Sequence, residues 1–232
     1  MSTNNLISAA KKEGRAALDE LAGKQLLASF GVSVPKSVIA KDEATVANAI
    51  AGMQPPFAVK VMSPEILHKS DSGGVKIGLK NADELAQAIT TMAAAPQIKN
   101  ARNDGWLIED MAPAGQEEVD GAVRDPNFGP LVMVGLGGIF VEILADVAFR
   151  ICPITRLDAA EMLDELKGVA LLNGARGRAP ASREAIIDVL LKIGGENGLL
   201  MQHADDFTEA DINPLIVSAN GAVAVDARFV LA

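Results

Sequence analysis

Apolar and polar residues alternate in short runs along this chain, and clusters of Gly, Pro, Asn and Asp separate the runs. Phe57 to Met62 (Phe-Ala-Val-Lys-Val-Met) and Val75 to Leu79 (Val-Lys-Ile-Gly-Leu) read as strands. A polar, glycine-rich link joins them, which predicts a hairpin. Further strand-like runs follow at Trp106 to Met111, Glu118 to Val123, Leu131 to Val134 and Val147 to Ile154. The chain closes on Asp211 to Val217 and Ala222 to Asp226 around Asn220-Gly221, a dipeptide that favours a tight turn. Helical spacing intervenes between these runs. Lys24 to Gly31 ends on a glycine stop, and Asp42 caps a helix to about Met53 that Pro55-Pro56 ends. Asn81 with Glu84 opens an alanine-rich helix to about Ala94, Asp158 with Glu161 opens another to about Lys167, and Arg183 begins one to about Ile193. Val32 to Ile39 reads as a short strand broken by Pro35. The mixture predicts an α/β (α+β) fold. The polar stretch 96–105 is the expected boundary between two subdomains, 1–105 and 106–232.

Composition narrows the classes. With 232 residues, 49% of them hydrophobic, the chain has material for one large core or two small ones. No apolar run approaches the roughly 18 to 20 residues of a membrane helix, and Met1 to Lys12 lacks the apolar stretch of a secretory signal. A cytoplasmic location is expected. Cys152 is the single cysteine, which excludes an internal disulfide, and its apolar neighbours point to simple burial. A net charge of -9, no Tyr and one Trp argue against a nucleic-acid surface, which needs basic patches and stacking platforms. An anionic nucleotide is still compatible, because a few cations and backbone N–H groups act locally.

Several residues carry chemistry. In the hairpin tip, His68-Lys-Ser-Asp-Ser-Gly-Gly-Val75, Gly73 and Gly74 permit positive φ and close approach. Ser70, Ser72 and successive backbone N–H groups can then face phosphate oxygens; a plain surface turn is the competing reading. Lys60 interrupts an apolar strand, so it either reaches water from a sheet edge or has an anionic partner, for which a phosphate qualifies. Glu109 and Glu117 end or border strands, where carboxylates can accept ribose hydroxyl or adenine amino protons, or simply be solvated. If Asn220 and Gly221 are the central turn residues, Asn213 faces Arg228 and Asp226 faces Leu215, which sets Asn213 and Asp226 diagonally on one face with Asp211. Diagonal neighbours lie roughly 7 to 8 Å apart, close enough to share a cation. An amide and a carboxylate suit Mg²⁺; turn residues at strand ends are the alternative. Arg176 in Gly174-Ala-Arg-Gly-Arg178 can meet a phosphate oxygen or sit in a solvated loop. Gly135-Leu-Gly-Gly138 lacks the full spacing of a dinucleotide fingerprint, and His203 has no partner motif.

Taken together, Ser33-Val-Pro35, Ala58-Val-Lys60, His68 to Val75, Arg124-Asp-Pro-Asn-Phe-Gly-Pro130, Gly135 to Glu142, Gly174-Ala-Arg-Gly177, Ile212-Asn-Pro-Leu215 and Val225-Asp-Ala-Arg228 resemble a known family. It is the ATP-grasp subunit, or domain, of the ADP-forming acyl-CoA synthetases, whose best known members handle acetate. The resemblance covers about Gly14 to Ala232 and implies an ATP-grasp fold whose two lobes clamp a Mg-nucleotide. By it, Lys60 touches phosphate, Glu109 and Glu117 meet adenine or ribose, and Asn213 with Asp226 holds Mg²⁺. The implied reaction is acyl-CoA plus ADP plus phosphate giving acid, CoA and ATP. His68 matches the histidine that carries the phosphoryl group to the nucleotide, and a neutral imidazole is a competent acceptor near pH 7. Asp120 departs from the pattern, falling in a strand where the family is usually apolar, and Asp110 stands beside Glu109. No CoA-binding half is present, so a CoA-binding alpha subunit or fused domain is the implied partner, in a hetero-oligomer. Two rival readings stay open: another ATP-grasp carboxylate ligase without a histidine relay, and a module that binds ATP without turnover.

Overall fold

The computed structural model describes residues 3–66, 69–137, 145–174 and 180–232. Two compact units make up the chain, one formed by Pro35–Ala112 and the other by the flanking segments Met1–Val34 and Pro113–Ala232.

The inserted unit is built on a four-stranded antiparallel sheet in the order β1 (Ser37–Ala40), β4 (Gly105–Asp110), β2 (Phe57–Met62), β3 (Val75–Leu79). The predicted hairpin is therefore β2 with β3. Side chains alternate across a strand, so Phe57, Val59 and Val61 share one face of β2. There they pack with Trp106, Ile108 and the apolar stripe Leu85, Ile89 and Met92 of a helix, Ala82–Ala93. Asn81 caps that helix by accepting from Glu84 N–H at 2.9 Å, but the Glu84 carboxylate returns to Lys80 N–H, so the reciprocal bond of a full capping box is missing. Lys60, Ala58 and Met62 take the opposite face.

The boundary expected at 96–105 falls inside this unit. Its physical cause is strand pairing. β4 sits between β1 and β2 and ties the segment after residue 105 to strands far earlier in the chain. The helix expected over Asp42 to Met53 is also shorter. Asp42 makes a capping box with Thr45 over a 3-10 turn, and only Val46–Ala49 is α-helical.

The flanking unit carries a six-stranded antiparallel sheet: β10 (Arg228–Leu231), β8 (Phe207–Ser218), β5 (Gln116–Asp125), β6 (Gly129–Leu136) and β7 (Val147–Ile151) in that order, with β9 (Gly221–Ala224) also paired to β8. Helices Arg156–Glu165 and Arg183–Gly194 bury Met162, Leu163, Ile186 and Leu190 against one sheet face, where Val132, Val134, Leu215 and Val217 meet them. The first of these helices starts earlier than predicted. Thr155 is its cap, and Asp158 closes the capping box from the third helical position. Two N-terminal helices, Thr3–Lys12 and Glu20–Ser29, complete the unit; Asp19 caps the second by accepting from Ala22 N–H at 2.9 Å. Cys152 is buried, and burial pushes its thiol up to about 11, as expected of an inert side chain. Among the described residues no helix is long and apolar enough to cross a membrane.

Candidate functional site

In the flanking unit the closing hairpin sets the geometry. Ser218 pairs with Gly221, so Ala219 and Asn220 are the turn residues, one step earlier than expected. Gly221 holds φ at 149°, a value that favours glycine, and the Ser218 hydroxyl accepts from Asn220 N–H at 3.2 Å, which fixes the turn there. The pairing Leu215↔Ala224 continues past a break into Arg228↔Asp211 without a change of register. Asn213 and Asp226 therefore stand directly opposite each other, not diagonally.

Pairing is irregular on both sides at this level: β8, continuous from Phe207 to Ser218, shifts register against β5, and on the facing side β9 ends at Ala224 and β10 begins at Arg228. On β8, Ile212 and Leu215 are both core residues, and on the other strand Ala224 and Ala227 are. The two residues between each pair, Asn213 with Pro214 and Val225 with Asp226, are therefore left off the core face. A bulge against β5 supplies the first irregularity, since Glu118 pairs with Leu215 but Asp120 with Ile212. Val225 N–H donates to the Pro214 carbonyl at 3.0 Å and bridges the two sides. One Asp226 oxygen accepts from Ala227 N–H at 2.8 Å. Asp211, opposite Gly121 and Arg228, shares the non-core face, as does the exposed Glu117 of β5.

An amide and a carboxylate facing each other at a shared break fit a hard divalent cation that keeps water and phosphate in the rest of its shell. Among the described residues no group of three or more His, Cys, Asp or Glu is placed to hold a metal, so a fully protein-built site of that kind is not what this donor set offers.

In the inserted unit, Lys60 is on an internal strand, which removes the sheet-edge reading. Its ammonium lies 3.0 Å from Glu109 Oε2, and Glu109 Oε1 accepts from the Ser37 hydroxyl at 2.6 Å. Lys60 and Glu109 are both buried. The structure thus brings these two candidates together as an ion pair, and it gives Glu109 a counter-ion role that its strand-end position did not suggest. Ser37 joins them through the register Ser37↔Glu109↔Ala58.

The glycine loop differs from expectation. Gly73 has φ of 68°, but its N–H donates to Ser70 O at 3.2 Å and that of Gly74 to Lys69 O at 2.7 Å, so both are used within the loop. A β-carbon on Gly74 would lie 2.6 Å from Val61, so close packing against β2 accounts for this glycine. Ser72 is half-buried. His68 and Arg176 lie outside the described residues.

Sequence reasoning missed Lys24. It is 1% exposed, lies 2.8 Å from Glu20 Oε1 one helical turn earlier, and donates to the Val225 carbonyl at 3.3 Å. The signal was an acid and a base four residues apart on the same stripe as Leu27.

The ATP-grasp domain family matches residues 9–231. The chain is 43% identical to the beta subunit of ADP-forming acetate–CoA ligase I of Pyrococcus furiosus, over 97% of this chain and 96% of that one. It is 37% identical to the ADP-forming 4-hydroxybutyrate–CoA ligase of Nitrosopumilus maritimus, over 91% of this chain but 30% of that longer protein. In structure it superposes on the dinucleotide-forming acetyl-coenzyme A synthetase 1 of Ca. Korarchaeum cryptofilum, in complex with coenzyme A and Ca-AMPCP, with a TM-score of 0.92, 38% identity and complete coverage of both chains. Another structure of that enzyme, with a phosphorylated phosphohistidine segment, matches with a TM-score of 0.88. Sequence and fold agree, and the chain belongs to the ATP-grasp family of the ADP-forming acyl-CoA synthetases, on the side of their beta subunits.

Proposed function

We propose that this chain is the nucleotide-handling subunit of an ADP-forming acyl-CoA synthetase, catalysing with a CoA-binding partner the reversible conversion of acyl-CoA, ADP and phosphate into acid, CoA and ATP. The observation that carries the reading is the pairing of end-to-end similarity to a beta subunit with the Asn213 and Asp226 break. The single-chain relative, of which this chain spans 30%, supports a partner that supplies the remaining functions. That partner is a CoA-binding alpha subunit, joined in a hetero-oligomer, and substrates of this class assign the work to the cytoplasm.

In this reading His68 receives the phosphoryl group on an imidazole nitrogen from a phosphohistidine of the CoA-binding partner, whose P–N bond breaks as that of His68 forms. It then yields the group to the terminal oxygen of ADP, so the His68 P–N bond breaks as the P–O bond of ATP forms. Lys60 pairs with nucleotide phosphate, and Glu109 holds the ammonium in place while the phosphate is absent. Glu117 accepts from the ribose, and Ser72 and Arg176 meet the phosphates, while Gly73 and Gly74, whose N–H groups bond within the loop, shape the turn that presents Ser72. Asn213 and Asp226 hold Mg²⁺, which when bound neutralises charge on the phosphates.

The test is ATP synthesis from acetyl-CoA, ADP and phosphate by the chain mixed with its CoA-binding partner. Expected are turnover by the pair, none by either chain alone, and loss of both turnover and phosphoryl labelling of this chain in His68→Ala. A His68→Ala protein that turns over normally sinks the relay and favours direct acyl phosphate chemistry.

A further inference from the structure

The strand ladder is interrupted where Asp226 sits. β9 ends at Ala224 and β10 begins at Arg228, so the intervening residues lack regular pairing on a strand. The helix Glu20–Ser29 fills that role. Leu18 N–H, just before the helix, donates to the Phe229 carbonyl at 2.9 Å. Gly23 brings the helix backbone so close that an added β-carbon would lie 2.8 Å from the Ala227 carbonyl oxygen. Between these contacts, Lys24 sends its ammonium to the Val225 carbonyl at 3.3 Å, one residue before Asp226. Glu20, 6% exposed, holds the ammonium from one turn back at 2.8 Å.

A buried ion pair is a costly way to pack a helix on a sheet, and apolar residues of the same volume generally do it as well or better. What apolar residues cannot do is donate to the Val225 carbonyl in the gap between β9 and β10, one residue before Asp226. We infer that Lys24, oriented by Glu20, is a positioning residue for the divalent cation: it fixes the Val225 carbonyl and so sets the direction in which Asp226 presents its oxygens to the metal opposite Asn213. The inference rests on the metal-site reading of Asn213 and Asp226. It adds Glu20 and Lys24 to the residues that determine metal affinity. Supporting groups behind metal ligands typically change metal affinity by about 10- to 100-fold when removed.

The experiment measures Mn²⁺ binding to the full chain by electron paramagnetic resonance in the presence of ADP, beside ADP binding with the metal chelated. Lys24→Met keeps the length and apolar stem and removes the donor. It is expected to weaken Mn²⁺ about tenfold while leaving metal-free ADP affinity unchanged, and Lys24→Arg is expected to recover part of the loss. Glu20→Gln keeps the ammonium but loosens it, and is expected to show a smaller loss of the same sign, which tests the idea even where Lys24→Met does not fold. Asp226→Ala and Asn213→Ala separate the two levels of the argument. If they abolish Mn²⁺ binding while folded Lys24→Met and Glu20→Gln bind it as the parent does, the positioning role is overturned and the metal site stands. If they too bind Mn²⁺ as the parent does, the metal-site reading fails and the inference falls with it.

Discussion

Glu118 and Asp120 are the residues most at odds with their surroundings. They share the core face of β5, opposite Leu136 with Leu215 and Val134 with Ile212, and both are 0% exposed. Among the described residues, none of their carboxylate oxygens has a hydrogen-bond partner. Burial, with repulsion from Asp120 added, pushes Glu118 up to about 9, and burial pushes Asp120 up to about 8. At neutral pH both are therefore held protonated in the folded chain while the unfolded chain ionises them. Between about pH 4 and these raised values the folded state binds more protons, so stability falls as pH rises, by on the order of 3 kcal/mol per carboxyl by pH 7. The urea midpoint of the parent chain is expected to be higher at pH 5 than at pH 8. In a Glu118→Gln, Asp120→Asn variant most of that difference is expected to vanish, with a gain at pH 8; an unchanged difference would show that other groups cause it. The sequence marked Asp120 as out of place but not Glu118. The run Glu118 to Val123 reads as a strand, but which of its residues face inward was not legible, because β5 lies inside the sheet and is buried on both faces from Glu118 to Ala122, where alternation carries no signal.

At the scale of elements, the helix Glu20–Ser29 is the informative one. Gly23 lies in its interior, where replacement by Ala in an exposed helix gains about 1 kcal/mol of propensity. Here the new methyl meets the Ala227 carbonyl at 2.8 Å and Phe229 at 3.3 Å, and such overpacking costs typically about 1 to 3 kcal/mol. The clash wins. Gly23→Ala is expected to lower the denaturation midpoint, and a raised midpoint would mean that the helix does not press on this segment as described. Loss of the Asp19 cap in Asp19→Ala is expected to cost about 1 kcal/mol without affecting that contact. Strongly patterned elements such as Phe57–Met62, Val75–Leu79, Ala82–Ala93 and Arg183–Gly194 were legible from periodicity and caps. Thr3–Lys12 and Arg228–Leu231 were not. The first is mostly polar, and the second follows a break whose only local sign is Asp226 itself. Asn213 and Asp226 could be brought together from the turn, although the turn lies one residue earlier than the Asn-Gly signal placed it. The Lys60 partnership was out of reach, because only the pairing of β2 with β4 reveals that Glu109 is the anion it meets.

For the whole molecule, the family was legible from the order of motifs along the chain, but the division of the chain into units was not. A unit inserted at residues 35–112 returns the chain to its starting unit, and long-range pairing of β4 decides which side of the boundary it falls on. Each unit covers one sheet face with its own helices and leaves charged candidates on the other, Lys60 with Glu109 in one and Asp211, Asn213 and Glu117 in the other. Nucleotide binding should then register in the stability of the chain as a whole. A ligand at a hundred times its dissociation constant stabilises by about 2.7 kcal/mol, which at this size raises the melting temperature by roughly 5 to 10 °C. Mg-ADP is expected to produce such a rise in the isolated chain. ADP with chelator is expected to produce less, and an Asn213→Ala, Asp226→Ala variant, folded by circular dichroism, is expected to respond no more to Mg-ADP than to ADP alone. A parent chain that ignores Mg-ADP until its CoA-binding partner is added would mean that the partner completes the nucleotide site, and one that ignores it in both conditions would overturn the nucleotide-handling role.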